Sequence, residues 1–268
     1  MNRRDAMRLG TAVLMLPLLA TPSLAADARV ADLMKAEKIR AGLGLTPIGT
    51  IKDAGTGELK GVAVDLGRAL AAQIGVELVP VLYPRPGAVI DGLRSDGWDV
   101  AISLGADPER AAEADFSNAY MEVDLTYLVA AGSSIRSIAD ADQAGTRIAV
   151  PGGDLVDILL GRQLKRAELV RADTVIGAFE LLRDGKADVC ALPRPNLLQY
   201  AANLPGSRVL EDRFAVNRVG MAVPKGQPGR LAYINEFVEQ AKASGLVQQA
   251  IARAGLRGVQ VAAPVKVN

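Results

Sequence analysis

The chain has 268 residues, half of them apolar, which is enough to bury one large core or two smaller ones. Its 31 basic and 30 acidic residues leave it near neutrality, and without a basic block it has no electrostatic footprint for nucleic acid or anionic lipid. It contains no histidine, which excludes serine–histidine and cysteine–histidine nucleophile pairs and histidine metal sites; the single cysteine, Cys190, excludes an internal disulfide.

The first 25 residues read as an export signal. Arg3, Arg4 and Arg8 precede the apolar stretch "LGTAVLMLPLLA", and "SLA" (23–25) supplies the small residues of a cleavage site at Ala25. Pro17 and the short apolar core argue against a membrane span. The paired arginines resemble a twin-arginine signal, although Ala6 stands where that motif prefers phenylalanine. Without this segment 28 basic and 29 acidic residues remain. The expected location is the periplasm.

From residue 38 strand-like and helix-like segments alternate. "KIRAGLG" (38–44) reads as a strand and "DAGTGELKG" (53–61) as a hairpin-like connection. In 64–75, Leu66, Ala69, Leu70 and Ile74 share a helical face, and Gly75 suits the C-terminal cap. "VELVPVLY" (76–83) returns as a strand that Pro80 pushes away from a central position. A short helix (87–97) and the strand "WDVAIS" (98–103) follow. The second half repeats the rhythm, with strands near 147–150, 167–170, 188–192 and 207–210 and helices between them. Cys190 lies in one of these strands and reads as a small core thiol. This alternation predicts an α/β fold with parallel sheets. Two β-rich runs, 123–132 and 217–226, are placed to join the halves, and the helical tail 230–256 follows the second. If the tail packs back on the first half, the chain forms two lobes, 26–127 with 220–268 and 128–219, with a cleft between them.

The segments "GELKGVAVDLG" (57–67) and "LRSDGWDVAISLGADPERAAEADFSNAY" (93–120) carry a G-x-x-x-G-x-x-x-D-L signature and an E-R-x-x-x-x-x-F-S-x-x-Y signature. With "GMAVPKG" and "KASGLVQQAIARAGL" they make residues 38–262 resemble the family 3 extracellular solute-binding proteins, whose amino-acid-binding members serve ABC importers. The resemblance implies a type II periplasmic-binding-protein-like fold, two α/β lobes joined by two β crossovers. It also implies a monomer without cofactor or metal, working with an inner-membrane ABC permease.

Several site residues follow from the resemblance. Arg110 aligns with the arginine that holds the ligand carboxylate, a role suited to a planar fork of donors; the alternative is a surface arginine paired with Asp107 or Glu113 on its own helix. The loop before it offers the Ser103 hydroxyl and the Gly105 amide. Tyr83, Arg85 and Pro86 stand near the family's aromatic platform. Across the cleft, Gly153 and Asp154 open a helix; Asp154 reads as its N-cap, or, facing the cleft, as a partner for a ligand ammonium. Where amino-acid binders carry an aspartate for the α-ammonium, this chain has Pro193 followed by Arg194. Arg194 points a second guanidinium at the cleft or sits solvated at a strand end. The leading expectation is a non-enzymatic receptor for a small carboxylate-bearing solute, an amino acid or organic acid. The alternatives are an enzyme resembling periplasmic cyclohexadienyl dehydratases, for which no protonated acid is evident, and an orphan binding module for a sensor or dehydrogenase.

Overall fold

The structure, a computed structural model, describes residues 27–265; the export-signal segment and its cleavage site lie outside them. The first part of the chain forms α1 (Ala31–Ala36), β1 (Lys38–Gly44), the hairpin β2 (Ile51–Lys52) and β3 (Leu59–Lys60), α2 (Val62–Ile74), β4 (Glu77–Tyr83), α3 (Pro86–Asp91) and β5 (Val100–Gly105). It continues through α4 (Pro108–Glu113), β6 (Ala114–Phe116) and the long β7 (Met121–Val129). Next come β8 (Arg147–Pro151), α5 (Leu155–Gln163), β9 (Glu168–Ala172), α6 (Val175–Arg183), β10 (Val189–Pro193), α7 (Arg194–Ala201) and β11 (Arg208–Val209). The chain returns through β12 (Ala215–Pro224), α8 (Pro228–Ala243), α9 (Leu246–Arg253) and β13 (Val259–Val261).

Local chemistry explains many of these boundaries. α2 buries Leu66, Leu70 and Ile74, and Gly75, at φ 82°, closes it by donating its N–H to the Ala71 carbonyl. The Thr174 hydroxyl accepts the Gly177 N–H to start α6. Gly245, at φ 79°, separates α8 from α9.

The principal sheet runs β4-β1-β5-β12-β7-β10-β8-β9. β1 is parallel to both β4 and β5, and β8 is parallel to both β9 and β10. The expectation of parallel sheets therefore holds for the two wings. Between them β12 and β7 run antiparallel to each other and to their outer neighbours β5 and β10, and β11 is also antiparallel to β7. Pro80 sits on β4, at the sheet edge.

The two central strands pass between cores. Along β7, Met121 and Val123 pack with β1, β5, α2 and α8, whereas Leu125, Tyr127 and Val129 pack with β8, β10 and α5. Along β12, Ala215 joins the second group, and Val219, Met221 and Val223 join the first. α8 and α9 pack on the first core, as expected of the tail. Cys190 is fully buried in the second wing, and burial pushes its thiol far up. No helix among the described residues is long and apolar enough to cross a membrane.

Trp98, the only tryptophan, is fully buried and donates its indole N–H to the Val89 carbonyl at 2.7 Å. It packs so closely on β1 that a Cβ at Gly42 would lie 2.9 Å from the ring. Trp98→Ala is expected to lower stability by about 3–5 kcal/mol in chemical denaturation followed by circular dichroism. Trp98→Phe, which keeps most of the packing, should cost less.

Candidate ligand-binding cleft

The seam between the two wings is built around Arg110. β5 ends at Gly105, and Asp107 caps α4 by accepting the Glu109 N–H, with Pro108 in the first helical position. This start turns Arg110 inward, where it is only 4% exposed. Its Nη1 donates to the Gly105 carbonyl at 3.2 Å, and its Nη2 donates at 3.2 Å to the Gly153 carbonyl in the turn between β8 and α5. The guanidinium thus reaches from one wing to the backbone of the other. It is no surface arginine: Asp107 instead binds Arg162, and Glu113 binds Arg94.

Asp154 stands at the N-terminal boundary of α5 but makes no capping hydrogen bond, which corrects the N-cap reading. Its side chain turns across the seam, where Oδ1 accepts the Gly87 N–H of α3 at 2.7 Å and lies 4.0 Å from Arg85 Nη1. Asp157 serves the turn in its place, accepting the Gly153 N–H at 2.9 Å while pairing with Arg171. The approach at Gly87 tolerates no side chain, since a Cβ there would lie 2.6 Å from the Gly153 carbonyl oxygen and 3.0 Å from Asp154 Oδ1. Burial pushes the Asp154 carboxyl up to about 6, against the opposing pull of the Arg110 charge and the Gly87 hydrogen bond. Burial likewise lowers the Arg110 guanidinium from its ordinary value, opposed by the charges of Asp154 and Asp107.

Arg110 and Asp154 both line a cavity of about 60 Å³. Ser103 and Gly105 line it from β5, Thr46 and Ile48 from the segment after β1, and Leu155 and Val175 from the second wing. Ser103 holds a left-handed backbone, φ 72°, uncommon for a residue with a side chain. Asn196 and Asn217 complete the polar lining, and the Oδ1 of each is buried without a hydrogen-bond partner. On its other side Arg110 faces a second hollow of about 310 Å³, lined also by Arg85, Gly153 and Glu109. No group of three or more cysteine, aspartate or glutamate side chains among the described residues is arranged to hold a metal ion.

Of the residues singled out in the sequence, Arg110, Ser103, Gly105 and Asp154 meet at the cavity, with Arg85 and Gly153 at the adjoining hollow. Two do not reach it. The Tyr83 ring packs against the cluster of Val89, Ile90 and Trp98, with its hydroxyl against Gly92 and Gly97. Arg194 is drawn away by Asp124 and by the carbonyls of Leu210, Glu211 and Asp212, so it belongs to a strand-end network rather than the cleft. Asn217 and Asn196 escaped attention; Asn196 follows the second proline of "PRPN", and nothing in its spacing marks it as buried.

The profile of the bacterial extracellular solute-binding proteins, family 3, matches residues 39–255. The chain belongs to that family. Within it, the ABC transporter glutamine-binding protein GlnH of Bacillus subtilis is 23% identical over 198 residues, covering 73% of this chain and 72% of the relative. Cyclohexadienyl dehydratase of Pseudomonas aeruginosa is 31% identical over 137 residues, half of each chain. The crystal structure of AncCDT-1, an ancestral amino-acid-binding protein and precursor of cyclohexadienyl dehydratase, superposes with a TM-score of 0.74 at 26% identity, covering 84% of this chain and 98% of that one. The family 3 fold is the type II periplasmic binding fold, two α/β lobes joined by β crossovers, and the 60 Å³ cavity lies between its two wings.

The raised Asp154 pKa has a defined consequence for stability. Protonation of the buried carboxyl favours the folded form, so this contribution is fully present below about pH 4 and lost as pH rises through about 6. Asparagine does not titrate. The stability of the wild-type protein relative to Asp154→Asn is therefore expected to fall by up to about 3 kcal/mol between about pH 3.5 and 7.5. Paired denaturation curves at several pH values check this, and a pH-independent difference contradicts it.

Proposed function

We propose that this protein is the exported solute receptor of an ABC-type importer and holds a small carboxylate-bearing solute, an amino acid or organic acid, between its lobes. In this reading residues 26–127 and 220–268 form one lobe and 128–219 the other, with β7 and β12 as the crossovers. The receptor acts as a monomer in the periplasm and presents its closed form to a membrane permease. The observation that carries the reading is a buried guanidinium lining a small cavity at the seam. Its forked donors match a carboxylate, and exclusion of water strengthens those bonds. Arg85 adds a second positive charge beside Asp154, so the cluster accepts one more negative group. A solute bound to both wings stabilises the closed form because only that form makes both sets of contacts.

A thermal-shift screen of amino acids, hydroxy acids, dicarboxylates and inorganic anions identifies the solute class, because binding raises the melting temperature by mass action. With a solute in hand, Arg110→Ala is expected to weaken binding by about 2–5 kcal/mol in calorimetry. Unchanged affinity removes Arg110 from the site.

A second reading rests on Asp154. A carboxyl raised to about 6 inside a cavity is a proton donor available near neutrality, which elimination of a hydroxyl leaving group requires. A dehydratase-like activity on a cyclohexadienyl acid accordingly has a candidate acid in this chain. Incubation of the purified protein with prephenate tests it; turnover abolished by Asp154→Asn supports the enzyme, and absence of turnover rejects it.

A further inference from the structure

The long strand β7 changes partners at the point where it changes cores, between Val123 and Leu125. One of its edges pairs with β12 over 121–125 without a break. On the other edge β10 pairs with 125–129 and β13 with 121–123, so strands from the two wings lie end to end and meet at Asp124. β13 is tied to the first wing. Ala262 donates its N–H to the Tyr120 carbonyl, Lys242 of α8 donates to the Ala263 carbonyl, and Glu239 accepts the Val265 N–H. The tail after α9 is thus a third segment at the crossovers, beside β7 and β12.

Asp124 itself is held from the second wing. Arg213 Nη1 donates to its Oδ1 at 2.7 Å, and Arg194 Nε donates to its Oδ2 at 3.3 Å. The carbonyls of Leu210, Glu211 and Asp212 fix the rest of the Arg194 guanidinium. The stem of Arg194 lies against Gly258, the residue before β13, which has φ 74°. A Cβ at Gly258 would lie 3.0 Å from Arg194 Cδ, so the wings touch here with no room to spare. Strand alternation shows which face carries this contact. Met121 and Leu125 line the 60 Å³ cavity with Asn217 and Val219, whereas Glu122, Asp124, Val216 and Gly258 line a separate hollow. Arg194 and Gly258 therefore meet behind the crossovers, on the face away from the cavity.

Resting on the receptor reading above, we infer that the C-terminal strap, Gly258 with β13, is a brake on opening of the cleft that acts by contact with the Arg194 stem. Rotation about β7 and β12 that separates the wings at the cavity brings them together on the opposite face, where Gly258 and Arg194 already touch. Further opening has to compress that stem, which Asp124 and three carbonyls hold in place. Close-packed contacts yield little. The strap thereby limits the width of the cleft and the population of the open form, and Arg194 acts on the solute only through the angle between the wings.

Spin labels on the full chain at two exposed positions, Ser95→Cys beyond α3 and Asp173→Cys after β9, report the distances between the wings without added solute. Cys190 is buried and stays unlabelled. Arg194→Ala is expected to move the long-distance edge of the distribution outward by several ångströms. Arg194→Met, which keeps a stem over Gly258, should stay nearer the wild-type edge. A double variant, Val259→Pro with Gln260→Pro, tests the strap itself and stands in if Arg194→Ala does not fold; alternation requires one of the two missing N–H groups to face β7. It should widen the distribution as Arg194→Ala does. Equal widening by alanine and methionine assigns the effect to the hydrogen bonds and overturns the brake. A broad distribution with the same edge in the wild type, Arg194→Ala and the strap variant overturns it too and leaves the receptor reading standing. One narrow distance in every variant means wings that do not open, and overturns both.

Discussion

A guanidinium held away from water is the constraint around which the seam is organised. Arg110 remains a cation under physiological conditions, and such a charge is tolerated in a low-dielectric site only when its donors are met and its field opposed. The protein does both with backbone and carboxylate together. The Gly105 and Gly153 carbonyls, one from each wing, take two of the donors, and Asp154 and Asp107 oppose the charge. Because the Gly153 contact lies on the second wing, satisfying Arg110 also fixes how closely the wings approach. That approach in turn requires a residue without a side chain at Gly87.

The strands that span the seam make this arrangement possible. β7 moves from one hydrophobic core to the other between Val123 and Leu125, and β12 makes the reverse passage between Ala215 and Val219. Each wing has its own core, and the hydrogen bonds of Arg110 and Asp154 link the two at the seam. Arg162 adds another link. From α5 it binds Asp107, the cap of the helix that carries Arg110, and also the exposed Glu109. The Glu109 partner is exposed, so that arm is weak in water and screened by salt, whereas the Asp107 carboxylate is buried. The deeper Asp154–Gly87 bond is shielded from that screening.

Legibility in the sequence tracked the range of the deciding interaction. The strand–helix alternation, the Gly75 cap, the Gly245 break and the edge position of Pro80 are set by neighbours a few residues away, and all can be read directly. Arg110 was reachable because its helix start, "ADPER", is local and its position belongs to a recurrent motif. For Asp154 the sequence left two readings open, and the choice between them is not local. Its place before α5 satisfies the rule for a cap, but the nearby Asp157 takes the turn's N–H, and the competing donor, Gly87, lies 67 positions away. Arg194 has the same history: a guanidinium at a strand end is free in sequence, yet three carbonyls of 210–212 capture it. Asn196 and Asn217 carry no local signature, since only the enclosure of an amide oxygen without a donor distinguishes them from surface residues.

The same carboxyl bears on both functional readings, and what separates them is where its proton is needed. For a receptor, Asp154 is most useful ionised, when it offsets Arg110 and accepts from Gly87, and its burial is a cost accepted for a tight seam. For a catalyst it is most useful protonated, with its free oxygen turned toward a leaving group. A pKa of about 6 lies between these requirements, and it arises from desolvation opposed by two arginines and one backbone amide. A solute carboxylate placed at Arg110 would raise it further, because a second negative charge disfavours ionisation of the first. Binding an anion therefore pushes Asp154 toward the acid form, and the chemistry of the solute, more than the scaffold, decides whether that proton has anywhere to go.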